Sequence, residues 1–63
     1  MSALHTAVFK AIHELPLPVT PEKALEAGMG QIPIEKGTER NQFEDWFASN
    51  GAKLCQLLNG QVQ

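Results

Sequence analysis

Cysteine is nearly missing from this chain of 63 residues, which holds a single one, Cys55. One thiol closes no internal disulfide, and with only His5 and His13 to join it there is no zinc-binding pattern. Neither of the usual staples of a small domain is at hand, and no metal or other cofactor is expected. Long apolar runs are missing too. Nothing approaches the roughly 20 residues a membrane-spanning helix needs, and the N-terminus lacks a basic region followed by an apolar block. A cytoplasmic location is expected, which suits an unpaired thiol. Charge of one sign is also scarce: five Lys and Arg against seven Asp and Glu leave a net −2, scattered along the chain. There is no general pull toward phosphate backbones.

Catalytic signatures are absent, and no enzymatic activity is expected. Glu44 and Asp45 are adjacent, so on a helix they splay about 100° apart instead of pairing for acid–base work. Cys55 stands between Leu54 and Leu57-Leu58, the setting of an inert, half-buried thiol, and nothing in the sequence brings His13 to it as a base. Gly28-Met29-Gly30 contains two of the glycines of a nucleotide fingerprint but has neither the preceding strand nor the third glycine.

What the chain does have is helical patterning, centred on Thr38 to Leu58, which holds the only Trp and two of the three Phe. Phe43, Phe47, Asn50, Leu54 and Leu57 recur at steps of four and three and share one face, with Trp46 and Leu58 on its flanks. Thr38 is placed to cap the helix, with Glu39 in the first turn where the dipole favours a carboxylate. Asn50-Gly51 is a common stop. Because Asn and Gly together cost roughly 1–1.5 kcal/mol in a helix interior, a break there into helices 38–49 and 52–59 is favoured slightly over one continuous helix.

Ser2 to Leu15 reads as an amphipathic helix capped by Ser2 and burying Leu4, Ala7, Val8, Ala11, Ile12 and Leu15; Pro16 stops it. His5, Phe9 and His13 form a stripe at the edge of that face, either a partner-binding ridge or a solvated margin. Pro16 to Pro21 alternates prolines and reads as an extended connector laying Leu17 and Val19 on the helices. Thr20-Pro21-Glu22 opens a second helix, with a hydroxyl cap, proline at the first position and a carboxylate in the first turn, and Gly28 is expected to close it. Residues 29–37 suit an extended linker or edge strand, or a helix begun at Pro33.

The expectation is an all-α fold: a bundle of three to four short helices with a Pro- and Gly-containing linker, occupying 1–60 and followed by a frayed tail at 61–63. A chain this short buries only about 60% of its unfolded surface, so its core is thin. Its aromatic side chains exceed what that core hides comfortably. Function is therefore expected to be protein binding, as a regulator or inhibitor of a larger protein, with homodimerisation as a further possibility. Trp46 is the first choice for the docking residue, with Phe43, Phe9, His5 and His13 beside it and Glu39 and Asp45 setting orientation toward a basic partner. The simpler alternative is that the rings only fill the core and the charges only meet solvent.

Two other readings stay open. Ala24, Gly28 and Ile34 fall at the small, turn and apolar positions of a helix-turn-helix, a resemblance over about fifteen residues that implies DNA binding through Lys36 and Arg40. Against it, the segment that should enter the groove contains Pro33 and Gly37 and sets Glu35 and Glu39 beside those cations. A structural subunit that self-assembles is the other. The string Phe43-Glu44-Asp45-Trp46-Phe47 resembles an acidic-aromatic helix phrase of small phage proteins. That resemblance implies a phage or mobile-element protein that binds a larger host protein.

Overall fold

The computed structural model describes residues 3–60; the Ser2 cap and the tail at 61–63 lie outside them. Three helices make up the fold, α1 (Ala3–His13), α2 (Pro21–Met29) and α3 (Gly37–Gly60), with no strand among the described residues. The class is all-α, as expected. No described helix is long and apolar enough to cross a membrane. At 1.5 Å per residue the 24 residues of α3 are about 36 Å long, close to the 38 Å longest extent of the molecule. It is the spine, and α2 packs against both α1 and α3.

The start of α2 follows the sequence. Thr20 is extended at φ −101°, ψ 155°, its Oγ1 accepts from the Lys23 N–H at 3.3 Å, and Pro21 opens the helix. Its end does not. The helix runs through Gly28 to Met29, and no glycine among the described residues has a positive φ. Gly28 is buried for a different reason: a Cβ there would lie 2.5 Å from Phe43 Cζ and 3.2 Å from Val8 Cγ1. The residue read as a stop is the seat on which α3 rests a phenyl ring.

α3 corrects the expected break at Asn50-Gly51, since one helix passes straight through. Gly51 is buried under the ring of Phe47, where a Cβ would lie 2.6 Å from Cδ1. Asn50 does not line the core; it is exposed, and its Nδ2 donates back to the Trp46 carbonyl at 3.0 Å. Tertiary packing outweighs a propensity cost of about 1–1.5 kcal/mol. The helix also begins one residue early, so Thr38 lies in the first turn and the Lys36 carbonyl accepts the first bond, from Arg40 N–H at 3.1 Å. At the other end of the molecule α1 stops at His13, two residues short of expectation, after which Leu15 N–H reaches Ile12 O in a tighter turn.

Val8, Ile12, Val19, Ala24, Ile32, Phe47, Cys55 and Leu58 form the core, with Leu4, Phe9, Leu15, Leu25, Met29, Phe43 and Leu54 packed half-buried against it. The buried stripe of α3 is therefore rotated from the expected one: Cys55 is inside and Leu57 outside. Of the connector's two apolar residues only Val19 is buried. Leu17, which precedes a cis bond to Pro18, is 44% exposed. Asn59 holds Val19 in place, its Oδ1 accepting from Val19 N–H at 2.7 Å and its Nδ2 donating to Val19 O at 3.0 Å. The second linker is neither strand nor helix. It is a run of turns in which Gly30, Gln31 and Ile32 N–H groups donate back to Glu26, Gly28 and Met29 carbonyls at 3.0–3.1 Å.

Candidate protein-docking groove

Arg40 ties the second linker to α3. Its Nη1 donates to Ile32 O at 2.6 Å and to Met29 O at 3.1 Å, joining the last residue of α2 and the linker turn to α3 and fixing Ile32 as a floor. Above that floor, α1 and the first half of α3 stand apart. Leu4, His5, Val8 and Phe9 make one wall, and Glu39, Gln42, Phe43 and Trp46 the other, around an open groove of about 380 Å³.

Four rings hold the walls. Phe9 meets Trp46 edge to face, with centroids 5.5 Å apart at 86°. Trp46 stacks on Phe43 at 6.3 Å and 21°, and Phe43 tilts onto Phe47 at 5.7 Å and 51°. Such pairs contribute about 0.5–1.5 kcal/mol beyond area burial. They leave Phe47 buried, Phe43 and Phe9 half-buried, and Trp46 39% exposed. The indole is thus gripped by its neighbours yet open along one side.

Five of the seven residues read as partner-binding, Trp46, Phe43, Phe9, His5 and Glu39, come together on these walls. Glu39 is the single carboxylate among them. It is half-buried in the first turn of α3, where the helix dipole favours a negative charge. His13 and Asp45 are not brought in. His13, one turn beyond Phe9, turns onto its own helix, its Nδ1 lying 2.7 Å from the Phe9 carbonyl oxygen. Asp45 is exposed about 100° around α3 from Trp46. Leu4, Val8, Ile32 and Gln42 join the site without having been read as part of it. The signal for Gln42 was present, since 39, 42 and 46 follow one another at steps of three and four along a single face.

Lys36 is exposed on the second linker, whereas Arg40 is half-buried and engaged with two carbonyls. The two cations do not form a common outward face. Cys55 is buried in the core, and desolvation pushes its thiol above the ordinary value of 9.0. No group of three or more His, Cys, Asp and Glu stands together to hold a metal ion among the described residues. No family model, no curated protein and no solved structure matches the chain.

Proposed function

We propose that this protein is a non-enzymatic binding module of the cytoplasm, a regulator or inhibitor that docks on a larger protein through the groove between α1 and α3. One observation carries the reading. Trp46 is kept 39% exposed while three other rings fix its orientation. A large aromatic side chain presented in a fixed pose is what interface hot spots use, because little side-chain entropy is left to lose on binding. The groove walls are apolar apart from Glu39, His5 and Gln42, an arrangement of apolar lining with few polar groups that suits recognition of a partner's side chains.

The test is binding by the purified chain, wild type against Trp46→Ala and Gln42→Arg, with circular dichroism on each. Gln42 is exposed at the rim, so an arginine there obstructs the groove without disturbing the core. Loss of a hot-spot Trp weakens binding by about 2 kcal/mol or more, at least thirtyfold. The expected result is that one protein is held by the wild type and lost with both variants, helicity unchanged. Equal retention by a folded Gln42→Arg variant places docking elsewhere on the molecule.

A further inference from the structure

Ile34 is the most exposed large apolar side chain among the described residues, 84% open. It is not on a loose loop. Lys36 N–H donates to Pro33 O at 3.0 Å, closing a turn with Ile34 and Glu35 at its centre, and Arg40 pins the neighbouring Ile32 carbonyl at 2.6 Å. A branched aliphatic side chain is thus held outward on an anchored turn. Only Pro33 separates Ile34 from Ile32, which lines the groove, so their Cα atoms lie within about 7 Å of each other. Knob and groove are neighbours on one molecule.

One pair of charges beside them is complementary. Beside the knob stands Lys36, exposed; in the groove the carboxylate is Glu39, and no Lys or Arg lines it. Glu35 shares the turn, which is therefore neutral as a whole, and the complementary pair is Lys36 with Glu39. We infer that a second copy of this chain is an occupant of the groove: Ile34 of each protomer enters the groove of the other about a two-fold axis, with Lys36 opposite the partner's Glu39. Adjacent complementary features favour a closed pair, in which each contact occurs twice. The inference rests on the groove being a docking surface, and it adds that the chain supplies a ligand for it, so self-association and target binding compete.

A contact of one side chain and its rim lies at the low end of interface sizes, so the association is weak and concentration-dependent. Sedimentation equilibrium of the full chain at low salt, from about 10 µM to about 1 mM, reads it directly. The expected result is a rise from monomer toward dimer mass for the wild type, and monomer throughout for Ile34→Asp with unchanged helicity. Lys36→Glu and Glu39→Lys each set like charges opposite one another twice, and each alone weakens association at least fivefold. Mixed, the two variants pair opposite charges at both contacts and associate as the wild type does. A monomeric wild type, an Ile34→Asp variant that still dimerises, or a mixture no better than its components overturns the inference. A monomeric wild type that nevertheless holds a larger protein through Trp46 does so while leaving the docking reading intact.

Discussion

The two ends of α3 are fastened alike and end up different. Near its C-terminus Asn59 pairs with both polar groups of the Val19 backbone, and Cys55 and Leu58 are buried alongside. Near its N-terminus Arg40 takes the carbonyls of Met29 and Ile32, yet beside it a groove of about 380 Å³ stays open. The difference lies in the size of the side chains between the clamps. Where they are a thiol and aliphatic groups, Cys55, Leu58 and Val19 are all buried. Where they are rings at 5.5–6.5 Å centroid separations, edge-to-face, stacked and tilted contacts are made among the rings themselves, and the groove lies beside them. A polar clamp fixes register; the side chains beside it decide whether the surfaces meet.

Breaking the closed end should have the largest effect. Asn59→Ala leaves the buried Val19 N–H and C=O without their partner and lowers stability by about 2–3 kcal/mol, seen as a lower urea midpoint with an unchanged slope. Trp46 fluorescence in the folded state should not move. Gly28→Ala acts at the open end. The added methyl forces the Phe43 ring aside at a cost of about 1–3 kcal/mol, offset by about 1 kcal/mol of helix propensity. The net loss is about 0–2 kcal/mol, and Trp46 emission shifts because Phe43 stacks on it. The smallest effect is that of pH at the closed end. Burial raises the Cys55 pKa above 9.0, so as pH climbs past the ordinary thiol value the unfolded chain ionises first and stability falls toward the folded pKa. The urea midpoint of the wild type should therefore drop more between about pH 8 and pH 10.5 than that of Cys55→Ala, with equal drops showing that desolvation of the thiol is immaterial.

Features written in neighbouring residues are easier to read from the sequence than those made by tertiary packing. The start of α2 is written locally, in a hydroxyl, a proline and a carboxylate in succession, and local signals suffice for a helix cap. Gly28 and Gly51 were misread as stops because their role is tertiary: each is small so that a phenyl ring can lie against the backbone. The groove was half legible. Trp46, Phe43, Phe9, His5 and Glu39 were found from type and helical face, while His13 shares their stripe but lies one turn too far along α1. Ile32 could not be assigned from periodicity, since it reaches the floor through a run of turns and an Arg40 contact that no spacing encodes.

Arg40 also has a mechanical consequence. By joining the end of α2 and the Ile32 turn to α3, it makes the floor and the Trp46 wall one body. The facing wall, α1, packs on α2 and meets Trp46 through Phe9, the two rings edge to face. The spacing of the floor and the Trp46 wall is thus set by one guanidinium, while the α1 wall takes its place from its packing on α2.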